Sequence, residues 1–123
     1  MPIWIDHVAI PVRSPADAAR FLGGLLGVEA APDGPDGKLR SLRLDADAML
    51  LFARADAPVA SHHLALRVDP TMFEKVVLRL SASAIPFGND PEDRMNGRWD
   101  DPLGGHGRVY FVDPDGHFFE ICA

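Results

Sequence analysis

Two histidines and one glutamate carry the strongest chemical signal in this chain. His7 opens the run HVAIPV at 7–12 and His63 opens HLALRV at 63–68, and this self-similarity marks an internal repeat. Both runs alternate like half-buried strands. Successive strand side chains point to opposite faces, so Val8, Ile10 and Val12 share one face while His7 and Ala9 share the other. In the second copy, Leu64, Leu66 and Val68 oppose His63, Ala65 and Arg67. The third residue, Glu120, interrupts the apolar run HFFEIC. A carboxylate in such a run needs a cation, a metal or hydrogen-bond donors, because an unpaired buried charge is costly. Two imidazoles and a carboxylate brought together by a curved sheet make a mixed nitrogen and oxygen donor set. It suits one divalent ion of Fe, Mn, Zn, Ni or Co and leaves positions open for substrate or water. A single histidine in such a place is more often packed or solvent-facing than a ligand; the equivalence of the two is what favours ligation. His62 has the opposite parity and reads as an edge or surface residue, and His106 and His117, beside glycines in turn-like sequence, read as exposed, with His106 able to reach a pocket if the 86–107 loop folds over it.

The elements that must position these residues repeat as well. Ser14-Pro15 and Asp69-Pro70 each offer an N-cap oxygen followed by proline at the first helical position, where its missing N–H costs nothing. The first helix places Ala18, Phe21, Leu22, Leu25 and Leu26 on one stripe and stops at Gly27; the second places Phe73, Val76, Val77 and Leu80 on one stripe. Strands are predicted at about 28–31, 38–44 and 48–55, with the turn cluster APDGPDG at 31–37. In the second half, 86–107 reads as one weak strand within a long loop, followed by the strand RVYFV, the turn Asp113-Pro114-Asp115-Gly116 and the last strand. Both halves read β-α-β-β-β, giving an α+β fold in one domain, 1–123, of two modules at about 1–58 and 59–123.

Composition narrows the partner. The 123 residues carry a formal charge of −6, with 47% apolar and 24% charged residues, the profile of a globular domain. With no basic run, a nucleic-acid backbone or an anionic membrane is a poor partner, and a small molecule is the expected one. No apolar stretch is long enough to span a bilayer and the start resembles no export signal, so a cytoplasmic location is expected. The single cysteine, Cys122, fits a reducing compartment and forms no internal disulfide. Arg67, on the His63 face, is a candidate for holding a substrate carboxylate or phosphate, weighed equally against an arginine reaching solvent. In the long loop Arg94, Asn96, Arg98 and Trp99 are candidates for substrate selection, weighed equally against disorder.

The paired HVAIPV and HLALRV strands and the ending GRVYFVDPDGHFFEI resemble the vicinal oxygen chelate superfamily. That superfamily includes glyoxalase I, the fosfomycin-resistance thiol transferases, extradiol dioxygenases, methylmalonyl-CoA epimerase and the bleomycin-resistance proteins. The resemblance spans almost the whole chain and implies two paired modules forming a half-open barrel around a divalent ion. It also implies His7, His63 and Glu120 as the metal ligands and Tyr110 as the phenol that touches substrate. Departures matter too. Glyoxalase I carries a fourth ligand, a glutamate, at the position that Leu51 occupies here. Ala9 replaces the threonine of the thiol transferases, and Asp101 stands where extradiol dioxygenases usually have a histidine. The expected function is therefore a metal-dependent enzyme acting on a small substrate chelated through neighbouring oxygens: a lyase, isomerase, transferase or dioxygenase. The alternative is a binding protein of the bleomycin-resistance type that sequesters a drug without chemistry. A homodimer is expected in either case, because open sheet edges call for pairing.

Overall fold

The computed structural model describes residues 1–33 and 36–123. The chain forms two compact units, Met1–Ala60 and Ser61–Ala123. Unit 1 contains β1 (His7–Val12), α1 (Pro15–Leu26), β2 (Ala31–Asp33), β3 (Leu39–Arg43) and β4 (Met49–Arg54). Its sheet has the order β1-β4-β3-β2, with β1 parallel to β4 and the other pairs antiparallel. Alternation dictates the burial: Ile10 and Val12 are buried and Val8 half-buried, whereas His7 and Ala9 are exposed. Helix α1 lies against β3 and β4, burying Ala18, Leu22, Leu25 and Leu26 near Leu42, Leu50 and Phe52. Ser14 Oγ accepts from the Asp17 N–H at 3.3 Å, and Pro15 begins the helix. The helix ends at Gly27, whose φ of 73° is a left-handed conformation that glycine adopts without strain. The strand predicted at 28–31 lies instead at Ala31–Asp33. Gly34 and Pro35, within the predicted turn cluster, lie outside the described residues.

Unit 2 contains β5 (His63–Arg67), α2 (Pro70–Ala82), β6 (Arg108–Val112) and β7 (Phe118–Cys122), with sheet order β5-β7-β6. Strand β5 runs parallel to β7 and β6 antiparallel to it. Asp69 caps α2, its Oδ1 accepting from the Met72 N–H at 2.7 Å. Phe73, Val76 and Leu80 of α2 are buried with Val109, Phe111, Phe119 and Ile121. One module departs from prediction. The weak strand expected between 86 and 107 is reduced to a bridge at Gly88, which exchanges two backbone hydrogen bonds with Tyr110 at 3.2 and 2.7 Å. Turns follow directly, and a side chain on Gly88 would strike the Asp93 carbonyl. Neither sheet closes on itself.

The 86–107 segment is ordered by its own polar side chains. Asn96 Nδ2 donates to Asn89 Oδ1 at 2.9 Å, Asn89 Nδ2 donates to the Asp100 carbonyl at 3.0 Å, and Asn96 Oδ1 accepts from the Arg98 N–H at 2.8 Å. Asp101 accepts from the Leu103 and Gly105 N–H groups at 2.9 and 3.1 Å. Every donor inside this loop that is matched in this way removes a reason for it to open.

Candidate functional site

Strand register builds the site in unit 2. Glu120 pairs across β7 with Ala65 on one side and Tyr110 on the other, so His63 lies two residues along β5 from the glutamate's neighbour, on the same face. His63 Nε2 accordingly lies 2.9 Å from Glu120 Oε1, with the glutamate side chain 10% exposed and the histidine 42%. Phe118 stacks on the His63 ring at 4.1 Å, and the Arg94 guanidinium lies 4.6 Å above the Phe118 ring. This stack fixes the plane of the imidazole. Tyr110, 6% exposed, sits 6.2 Å from the His63 ring. Burial, and then the negative charge of Glu120, push the Tyr110 phenol above its ordinary pKa.

The partner that a carboxylate in an apolar run requires is Arg108. Its Nη1 donates to Glu120 Oε2, and its Nε donates to Asp101 Oδ1 at 2.9 Å. Burial opposes ionisation of Asp101, but hydrogen bonds from Arg108 and the backbone outweigh it and hold the carboxyl below its usual pKa. The Asp101 hydrogen bond, against some cost of burial, holds the Arg108 guanidinium above its usual value. Sequence reasoning missed Arg108, although the signal was present. It lies two residues before Tyr110 and so shares its face, on the diagonal to Glu120.

Of the other sequence candidates, His7 belongs to unit 1 and the rest to unit 2. His7 opens β1 in unit 1, its side chain half exposed and its Nδ1 2.6 Å from Asp6 Oδ2. Arg67 is exposed at the end of β5. Trp99 packs beside Phe73 and, with Glu74, Val77 and Leu78, lines an apolar depression on α2. Arg98 is exposed near Asp100, and Asn96 belongs to the internal bonding of its loop. His106 faces Phe73 and Glu74 and is partly exposed. His117, expected at the surface, is fully buried: its Nδ1 accepts from the His62 N–H at 2.9 Å, and its own N–H donates to Asp113 Oδ1 at 2.8 Å. The tight turn at Gly116 aims the ring inward, which alternation along a regular strand cannot forecast.

Among the described residues no three His, Cys, Asp or Glu side chains gather into one metal-holding group. The donors that unit 2 does assemble, one imidazole nitrogen and one carboxylate oxygen, have the chemistry of a mixed site for a divalent ion. No helix among the described residues is long and apolar enough to cross a membrane.

No curated protein matches the chain. Among solved structures it is similar to oxidase ChaP-H1, at 30% identity with 98% of this chain and 94% of that chain covered and a TM-score of 0.84. It is also similar to oxidase ChaP-H2, at 26% identity, 98% and 93% coverage and a TM-score of 0.87. A lactoylglutathione lyase from Agrobacterium tumefaciens, 24% identical over 98% of this chain and 93% of that one with a TM-score of 0.69, shares the fold. Residues 4–121 match the family model of the Glyoxalase/Bleomycin resistance protein/Dioxygenase superfamily, and the chain therefore belongs to that superfamily, with its α+β glyoxalase-like fold.

Proposed function

We propose that this chain is a metal-dependent enzyme that oxidises or oxygenates a small substrate presenting two neighbouring oxygens. The observation that carries the reading is the His63–Glu120 pair, a nitrogen and an oxygen donor 2.9 Å apart beside a buried phenol. The 30% identity to oxidase ChaP-H1 supports the oxidative class. His63 and Glu120, with His7 as the third donor from the same chain or from a second copy in a homodimer, would hold one Fe, Mn, Zn, Ni or Co ion. Asp6 beside Nδ1 fits His7 for this role, since it orients the ring and leaves Nε2 free to donate. When bound, such an ion supplies Lewis acidity toward substrate oxygens.

The chain's own residues do the rest. Tyr110 presents its hydroxyl on the Glu120 side of the sheet, where it donates a hydrogen bond to a substrate oxygen or returns a proton to it. Arg67, exposed on the His63 face, suits a substrate carboxylate or phosphate. Arg98 and Trp99, at the surface of the ordered loop, are offered as outer contacts for substrate, with Asn96 setting their backbone. Leu51, at the position where glyoxalase I carries a fourth ligand, adds no donor, which leaves room for a chelating substrate and a second reactant.

The test begins with metal content, expected close to one ion per purified chain. Catechol or a 2-oxo acid is then titrated under nitrogen into the Co(II)-loaded protein, with a new visible band expected. Dioxygen uptake on adding the same compound to Fe(II)-loaded protein would establish the oxidative class. A protein that purifies without metal and refuses Co(II) would overturn the reading in favour of a sequestering protein. One observation suits that second reading: the Arg108 guanidinium pairs directly with the Glu120 carboxylate.

A further inference from the structure

The guanidinium of Arg108 is held by two carboxylates and also hydrogen-bonds the Tyr110 phenol. Toward Asp101 it presents Nε at 2.9 Å and Nη2 at 3.5 Å, and toward Glu120 it presents Nη1. Its side chain is 11% exposed and that of Asp101 only 2%, so neither offers a free edge to a substrate. Asp101 is in turn held by the Leu103 and Gly105 N–H groups. The loop packs tightly against it at Gly105, where an added side chain would strike both Asp101 Oδ2 and the Ala123 carbonyl. The Ala123 carbonyl also accepts from the His106 N–H at 2.7 Å. A rigid chain of contacts thus runs from the loop through Asp101 and Arg108 to one oxygen of Glu120.

The two oxygens of Glu120 are thereby given different tasks: Oε2 belongs to Arg108, and Oε1 faces His63 Nε2 at 2.9 Å. We infer that Asp101 and Arg108 are positioning residues that present Glu120 to a metal ion through Oε1 alone. The inference rests on the reading of Glu120 as a metal donor. Its physical basis is that a guanidinium fixed in a bidentate pair cannot swing away, so a two-oxygen grip on the ion is blocked and the carboxylate plane is set before any ion arrives. It also gives the ordered 86–107 loop a task, that of carrying the Asp101 anchor.

Charge and positioning can be separated, because the Asp101–Arg108 pair is close to neutral as a unit. Replacing both members together, Asp101→Asn with Arg108→Gln, leaves the net charge near Glu120 unchanged but removes the fixed fork. Outer contacts of this kind are typically worth roughly 10–100-fold in metal affinity. The double variant should therefore bind Co(II) at least about tenfold more weakly than wild type, with displaced visible bands. Arg108→Lys, which keeps the charge but loses the fork, should show the displaced bands as well. Far-ultraviolet circular dichroism and the thermal midpoint of the metal-free proteins check that the variants fold. Arg108→Met with Asp101→Leu, which fills the site with apolar volume, serves where the polar double variant does not. If wild type binds Co(II) and the folded double variant binds it equally well with the same spectrum, the positioning inference falls and the metal reading stands. If wild type binds no Co(II), both fall together.

Discussion

Opposite Ala9, the last strand of unit 1 carries Leu51; at the matching place in unit 2, opposite Ala65, it carries Glu120. The same correspondence sets Ser41 against Tyr110 and Leu39 against Arg108. Of the side chains able to do chemistry at these places, the leading histidine, His7 or His63, is the one that appears in both. One backbone plan has thus been filled twice, once with apolar and small side chains and once with a carboxylate, a phenol and a guanidinium. The lesson is that the sheet supplies positions, and the charged cluster survives in unit 2 because each of its members is supplied with a partner.

The largest effect is expected from erasing this difference. Glu120→Leu copies unit 1 into unit 2, removing the oxygen donor and leaving Arg108 and Asp101 without their third member. Arg108 keeps its pairing with Asp101 but loses a charged acceptor, which costs about 2–3 kcal/mol, so urea unfolding should show a loss of that order, and bound metal should fall close to zero. Metal retained at the wild-type level would show that the two units do not differ in the way drawn above.

The reverse exchange should cost less. Leu51→Glu places a carboxylate in a half-buried position where the diagonal arginine, Arg43, is already turned to the Asp45 and Ala46 carbonyls, at a cost of roughly 1–3 kcal/mol. Adding Leu39→Arg supplies the missing partner, and the pair together should recover part of that loss in chemical denaturation. If the second substitution worsens the first, the correspondence of Leu39 with Arg108 is only formal.

A third comparison concerns the turns before the last strands. In unit 1, Asp45 Oδ1 accepts from the Asp47 and Ala48 N–H groups at 2.7 and 2.8 Å at an exposed site. In unit 2, Asp113 Oδ1 accepts from the Asp115 and His117 N–H groups at 3.0 and 2.8 Å while 6% exposed. Asp113→Ala should cost about 1–2 kcal/mol because buried donors lose their acceptor. Asp45→Ala should cost about 0.5 kcal/mol or less, since water replaces the carboxylate. Equal losses would show that burial does not separate the two turns.

The smallest effect is a dependence on pH. Burial, against the pull of the His117 N–H, raises the Asp113 carboxyl above its ordinary value. The folded state therefore binds this proton more tightly than the unfolded state. The stabilisation is complete below the unfolded pKa and declines as pH rises through the folded one. Asp113→Asn keeps the acceptor oxygen and removes the titration, so its stability relative to wild type should increase as pH is raised from acid toward neutral. A difference that stays flat across that range would remove Asp113 from the account.

Strand parity set His63 opposite Leu64, Leu66 and Val68 and marked Glu120 as a carboxylate in an apolar run, and the caps at Ser14 and Asp69 located both helices, because these features depend only on local backbone geometry. Parity with Tyr110 could have placed Arg108 beside Glu120, but its second partner, Asp101, stands in a loop whose path no periodicity describes. The inward turn of His117 depends on the hairpin at Gly116, and the loss of a strand at Gly88 depends on neighbours close in space. What was legible followed from spacing along the chain, and what was not followed from contacts that irregular backbone creates.

In both sheets the strand made last lies inside, between partners made earlier: β4 between β1 and β3, and β7 between β5 and β6. During synthesis, β5 and β6 therefore wait without a common neighbour until residues 118–122 emerge. Unit 1 meets this condition at residues 49–54, before the first strand of unit 2 exists. Vectorial production thus allows the apolar unit to close first, while the charged one stays open until almost the whole of its sequence is available. Such first-to-last pairing raises contact order, so refolding of unit 2 is expected to be the slow step, paced by the insertion of β7.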